Sequence, residues 1–304
     1  MINKKESHLS NRWFLKVTQE IIRRLPYIFP ESPTSRFLAK KFDKANTLMK
    51  HNAKDLQKIY PLGDGKGYVE LLEVMGSDLE IVNDARVSYD KSSDGWTDKD
   101  AKLLNFLIAP ITEPQHTSPL RGSVLKFQVK CPLYIARQWW KHHIASSYSE
   151  GQDGWNEKSL RYSKVDIYDY YMPEAFPLQA AVNKQASDWM NAQLNEKLST
   201  MYKMNVERCA DTYNQMIEAG YSREIARGVL PACYYTTFRW TVSLHALLNF
   251  LDLRTGHGAQ SEIVKYSLAI REMLLRHFPH TLTAWETRKD YVKFAMEVVQ
   301  HMSK

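Results

Sequence analysis

Cysteine is scarce in this 304-residue chain. The three that occur, Cys131, Cys209 and Cys233, lie far apart and form no CxxC pair. That spacing argues against a disulfide framework and against a structural zinc site, and reduced thiols in or near a core are expected. Long apolar runs are also missing; none approaches the roughly 18 residues that a membrane span needs. The N-terminus carries Lys4, Lys5 and Arg12 but no apolar stretch followed by small residues. No secretory signal is read there, and a cytoplasmic location is expected. No internal repeat or low-complexity stretch appears. His245, His277 and His280 lack close metal-ligand spacing, so no metal site is expected.

What is present is an ordinary globular composition, 44% apolar and 25% charged, with an uneven charge distribution. Residues 1–66 hold 14 Lys/Arg against 6 Asp/Glu, while the remainder holds 27 against 28. The net charge of +7 therefore belongs to the N-terminal segment. A basic tail can attract nucleic acid or anionic surfaces without being the functional centre, and nucleic acid is not the expected partner.

Apolar spacing predicts helices over 13–22 and 36–60, and Pro61–Gly65 reads as a boundary. The expected division is a basic helical extension over 1–66 and a catalytic domain over 67–304. In that domain strands are predicted at 68–75 and 123–130, and extended segments at 165–172 and 234–241. Helices are predicted at 79–90, 98–108, 132–144, 178–220, 242–253, 258–277 and 281–302, with a short one capped by Ser222. The stretch 147–156 reads as a loop. The class is α+β, helix-dominated, with a small mixed or antiparallel sheet.

Three segments carry the candidate chemistry. Arg137–His143 sets two tryptophans among basic residues, which suits a flat ring flanked by phosphate; a solvated basic face over core tryptophans is the plainer alternative. Asn156–Ser163 offers an amide, a carboxylate, hydroxyls and the fork of Arg161, able to grip phosphate with two parallel hydrogen bonds. Ser159 reads as a ligand contact rather than a nucleophile, because no neighbouring base activates it. Arg227 and Arg254 are embedded in apolar sequence, where a cation needs a partner or a ligand.

In order and spacing, Val69–Ser88, His116–Pro119, Ala136–Trp139, Asn156–Ser163, Ile225–Pro231, Trp240–Val242, Leu253–Arg254 and Ala259–Ile263 closely resemble the flavin-dependent thymidylate synthases, the ThyX family, over about 68–280. The resemblance implies an α/β domain assembled as a homotetramer with active sites between subunits. It implies that dUMP is methylated at C5 to dTMP, with methylenetetrahydrofolate giving the carbon, NADPH the reducing equivalents, and FAD mediating. By motif, Gln138, Lys141, Glu157, Ser159, Arg161, Arg227 and Arg254 would hold the nucleotide, and Arg254 would be catalytic by favouring ionisation at N3. Ser118, Lys141, His142, His143, Glu157, Ser243, His245 and Asn249 would face the flavin.

The chain departs from the family on the flavin side. Lys141-His142-His143 stands where the family has Arg-His-Arg, and about eight residues are inserted around Ser147–Gly154. Ser243 and His245 replace an Asn and an Arg, and His257 sits one position early before Ala259-Gln260. Two alternatives stay open beside thymidylate synthesis: another C5 modification of a pyrimidine nucleotide, such as hydroxymethylation with altered cofactor use, and nucleotide binding without catalysis.

Overall fold

The computed structural model describes residues 58–109, 115–142, 147–149, 152–153, 155–174, 176, 178–179, 187–188, 192–256 and 258–289. The helices expected over 13–22 and through most of 36–60, and the end of that over 281–302, lie outside the described residues. The described residues up to Glu286 fall in one compact unit.

The chain enters through β1 (Lys58–Ile59), which pairs antiparallel with β2 (Tyr68–Met75). Residues 58–59 are thus strand rather than the end of a helix, and Pro61–Gly65 is the turn joining two strands of one sheet. Gly76 then redirects the chain with φ 98°, and a Cβ there would collide with Ser123. Ser77 caps α1 (Asp78–Arg86) by accepting from Glu80 N at 3.2 Å. α2 (Asp98–Ile108) opens on a capping box of Thr97 and Asp100. A 3-10 turn, Ser118–Arg121, precedes β3 (Val124–Pro132) and α3 (Leu133–Trp139).

The expected loop at 147–156 contains structure: β4 (Ser147–Ser149) pairs with β5 (Gln152–Asp153), and β6 (Trp155–Glu157) joins the main sheet. Two short strands, β7 (Leu178–Gln179) and β8 (Ser187–Asp188), pair before the long helix α4 (Ala192–Glu218). The helix therefore begins well after the predicted 178. There follow α5 (Arg223–Ala226), β9 (Tyr235–Ser243), α6 (Leu244–Arg254), α7 (Ser261–His277) and helical residues 279–289.

The sheet runs β1–β2–β3–β9–β6 and is antiparallel at every pairing. Alternation decides its two faces. Leu125, Phe127, Val129 and Cys131 of β3 are buried, as are Phe238, Trp240 and Val242 opposite them on β9. Lys126, Gln128, Lys130 and Arg239 take the other face. On the buried face lie α3, α6 and α7, contributing Ile135, Trp139, Phe250, Tyr266 and Ile270. Trp139 meets Trp240, Phe238 and Tyr266 edge-on, with centroids 5.5, 5.6 and 5.9 Å away. A smaller core gathers Val206 and Tyr213 of α4, at helical spacing, with Val165, Ala226, Cys233 and Tyr234.

Two expectations change because of particular hydrogen bonds. The segment 165–172, expected to be extended, joins the sheet only through a single bridge, Tyr170 to Tyr234; Tyr213 Oη accepts from Val165 N at 3.1 Å and Tyr234 Oη donates to Ile167 O at 2.9 Å. The helix predicted over 132–144 stops at Trp139, because His142 N bonds Trp139 O at 3.1 Å and tightens the turn.

Trp155, the residue after the insertion, stacks on Trp240 at 5.3 Å with the planes 5° apart. One face of its ring thus packs on the core. Trp155→Ala is expected to destabilise the protein by about 2–4 kcal/mol, toward the lower end of aromatic truncations because the ring is only half-buried. Urea denaturation of the two proteins reads this; an unchanged midpoint would show that β6 is held by its backbone pairing alone.

Candidate active site

The expected site residues fall into three groups. The first lies where the end of α3 meets the end of α6 and the start of α7. Arg254, the last residue of α6, donates from Nε to His142 Nε2 at 2.9 Å and from NH2 to Gln138 O at 3.0 Å. Gln138 Nε2 donates to Gln260 Oε1 at 2.5 Å. His142 also meets Phe250 edge-on at 4.9 Å. Burial lowers the Arg254 guanidinium from its ordinary value, which reflects the cost of removing that charge from water. Lys141 is exposed beside this group, and His143 lies outside the described residues.

The second group surrounds the end of β6. Pairing with Phe238 puts Glu157 on the inner side of the sheet, where it accepts from Thr236 Oγ1 at 2.6 Å. Ser159 Oγ accepts from Arg161 N at 3.3 Å, folding 159–163 into a turn. Arg223 NH1 donates to Tyr162 O at 2.9 Å and ties that turn to α5. Arg161 reaches Glu224 at only 3.7 Å, with side chains 50% and 58% exposed, so this pair is weak and the guanidinium remains accessible. Arg227, half-buried, begins the 3-10 turn that continues α5. Two arginines and a serine are thus gathered on adjoining turns, a donor set that suits a phosphate.

The third group sits at the start of α6. Ser243 is buried and caps the helix by accepting from Ala246 N at 3.3 Å. His245 and Asn249, four residues apart, share one side of the helix. Ser118 is exposed on the Ser118–Arg121 turn, and that region is fixed to α6 by Leu244 N bonding Ser123 O at 2.8 Å. Burial first, and then the charge of Arg121, lower the His245 imidazole below its ordinary 6.5.

This third group lies toward the start of α6, where Asn249 is five residues, about 7.5 Å of rise, before Arg254. Three side chains that the sequence reading does not single out belong to these groups: Gln260, Thr236 and Arg121. Gln260 lies in the quoted Ala259–Ile263 stretch, so its signal is present. Thr236 and Arg121 have no local signal, because strand register and the packing of a turn on α6 give them their places. Among the described residues no cluster of metal-ligating side chains occurs.

Residues 70–280 match the family model described as thymidylate synthase complementing protein. The flavin-dependent thymidylate synthase of Thermus thermophilus is 40% identical over 221 residues, covering 73% of this chain and 76% of that protein. That of Thermotoga neapolitana is 39% identical over 220 residues, covering 72% and 91%. A solved UMP/dUMP methylase, PolB from Streptomyces cacaoi bound with 5-Br UMP, is similar with a TM-score of 0.62 at 25% identity, covering 72% of this chain and 93% of that one. The same methylase bound with 5-Br dUMP gives 0.61 at 26% identity, covering 72% and 94%.

The lowered His245 has a consequence for stability. Its folded value lies below its unfolded one, so the folded protein takes up that proton less readily. The contribution is intact above pH 6.5 and is lost as pH falls below 6.5 toward the folded value. The thermal midpoint is expected to drop on acidification from pH 7 to about 5, and His245→Gln to flatten that drop. Parallel profiles for the two proteins would remove His245 from the account.

Proposed function

The chain belongs to the thymidylate synthase complementing protein family, that of the flavin-dependent thymidylate synthases, and we propose that it methylates dUMP at C5 to give dTMP. The observation that carries this reading is Arg254. It is a part-buried cation whose bonds go to two neutral acceptors, and among the described residues it has no carboxylate partner. Such a group calls for an anionic or ionisable ligand. A uracil ring supplies one, because loss of the N3 proton places negative charge on the ring and makes C5 nucleophilic. A fixed guanidinium stabilises that charge as it forms. Arg161, Arg227 and Ser159 are assigned to the 5′-phosphate, and Gln138 and Glu157 to the remainder of the nucleotide. Lys141 supplies a further positive charge at the mouth.

The assigned cofactor is FAD, with methylenetetrahydrofolate as carbon donor and NADPH as reductant. When bound, the flavin passes the reducing equivalents of NADPH to the one-carbon unit on C5, and C5 gives up its own proton. A flavin dinucleotide carries a pyrophosphate, which calls for donors and positive charge. Ser118 and Asn249 offer a hydroxyl and an amide, Ser243 caps the helix beside them, and His143 is assigned to the same cofactor. His245 is neutral at pH 7, but Arg121 beside it brings the cation that the ring does not. The donor set therefore fits the group.

We assign the assembly as a homotetramer with sites between subunits. The proposed location is the cytoplasm; no helix among the described residues is long and apolar enough to cross a membrane.

The test is tritium release from [5-³H]dUMP by the full-length protein with FAD, methylenetetrahydrofolate and NADPH, with mass analysis of the product and a parallel reaction on UMP. Release with dTMP as product is expected. Arg254→Ala is expected to lower kcat about 10²- to 10³-fold. A hydroxymethylated product would redirect the assignment to another C5 chemistry, and absence of turnover with saturating FAD would sink it.

A further inference from the structure

His142 lies in the stretch assigned to the flavin, yet its Nε2 is engaged by Arg254 at 2.9 Å. A guanidinium nitrogen has only protons to offer, so Nε2 presents its lone pair. The imidazole is therefore neutral and carries its proton on Nδ1. Phe250 holds the ring edge-on at 4.9 Å and 74°, and Phe250 and Arg254 are four residues apart on α6, so one helix face supplies both contacts.

The second anchor of Arg254 follows from the early end of α3. In a continuing helix, Gln138 O would accept from His142 N. Here His142 N turns to Trp139 O instead, and Gln138 O is left for Arg254 NH2 at 3.0 Å. Nε and NH2 form the side edge of a guanidinium. With that edge spent on His142 and Gln138, the end-on pair, NH1 and the second proton of NH2, forms no hydrogen bond among the described residues. Two parallel donors of that kind match the N3 and carbonyl edge of a uracil ring.

We infer that His142 is a positioning residue for Arg254, a neutral acceptor that fixes the side edge of the guanidinium so that its end faces the pyrimidine. This rests on the reading of Arg254 as the group that meets the nucleotide. Protonation of His142 at Nε2 would set a donor and a positive charge against Arg254 Nε. The bond would be lost, and with it the orientation. The other charged side chains close in sequence to the pair are Lys141, next to His142 and exposed, and Asp252 on α6, about 200° around the helix from Arg254.

The experiment measures dUMP and FAD affinity of the full-length protein between pH 5.5 and 8.5 for wild type, His142→Gln and His142→Ala. The Gln side chain keeps an acceptor oxygen and does not titrate. At pH 8 His142→Ala is expected to weaken dUMP about tenfold and His142→Gln about twofold or less, with FAD affinity changed about twofold or less in both. Toward pH 5.5 wild type is expected to lose dUMP affinity more steeply than His142→Gln. The titration of the nucleotide phosphate is common to both proteins and cancels in that comparison. Thermal unfolding checks that each variant folds; if His142→Ala does not, the profile of His142→Gln decides. Superimposable pH profiles for wild type and His142→Gln would overturn the inference, as would loss of FAD affinity with dUMP affinity kept. A wild type that binds FAD but no dUMP at any pH would instead remove the nucleotide reading on which it rests.

Discussion

Trp139 and Trp240 meet edge to face with centroids 5.5 Å apart, both fully buried. This contact presses α3 against the centre of the sheet. Trp240 also receives Trp155 face to face, which holds β6 on the outer side of β9. Aromatic pairs of this kind add about 0.5–1.5 kcal/mol each beyond the area they bury. Their further effect is positional. With Trp139 fixed at the end of α3, the next turn tightens, Gln138 O is released, and His142 comes to Phe250 and Arg254. With Trp155 fixed, Glu157 falls opposite Phe238 on the same side of the sheet. The core thus sets the site without contributing its own polar atoms.

Charge distinguishes the site from the scaffold. Arg271 and Arg86 are also part-buried, and each has a carboxylate: Glu286 for Arg271 and Asp100 for Arg86. Hydrogen bonding to Glu286 raises the Arg271 guanidinium, as expected of a compensated structural cation. Arg254 moves the other way, lowered by burial, and its described partners are an imidazole and a backbone carbonyl. A buried cation without a counter-ion costs stability in the free protein. In the proposed reading, the nucleotide carries the missing charge. The same contrast separates Arg161, loosely paired and half-exposed, from the scaffold ion pairs.

Strands and helices with strong periodicity were legible in the sequence. β2 spans the predicted 68–75, and α6 and α7 differ from the predicted ends by two or three residues. The failures share a cause: long-range partners that no local window contains. Residues 165–172 have strand-like composition, but Tyr213 and Tyr234, distant in sequence, take the hydrogen bonds that a neighbouring strand would. The helix over 132–144 has helical spacing throughout, but its last turn is pulled out of register where His142 meets α6. At the site, residue types were readable and their use was not. His142 accepts from Arg254 and the Ser243 hydroxyl caps α6, uses that the residue types alone do not reveal. Arg121 is invisible as a site residue until the turn that carries it is seen against α6.

Among the departures from the family pattern, the insertion and the change at the start of α6 lie apart and are accommodated separately. The insertion folds as the hairpin β4–β5 and returns the chain to the sheet through Trp155, so the extra length ends at a fixed point before Asn156. Glu157, Ser159 and Arg161 then follow in the geometry that the sheet and α5 dictate, whatever the length of the hairpin. The change of charge lies elsewhere, at the start of α6. There the family's arginine is His245, neutral because it is half-buried and because Arg121 stands near it. Arg121 on the neighbouring turn places a positive charge beside it. An exposed arginine on a turn costs less to desolvate than one on a packed helix face, and it can still reach an anion through its flexible stem.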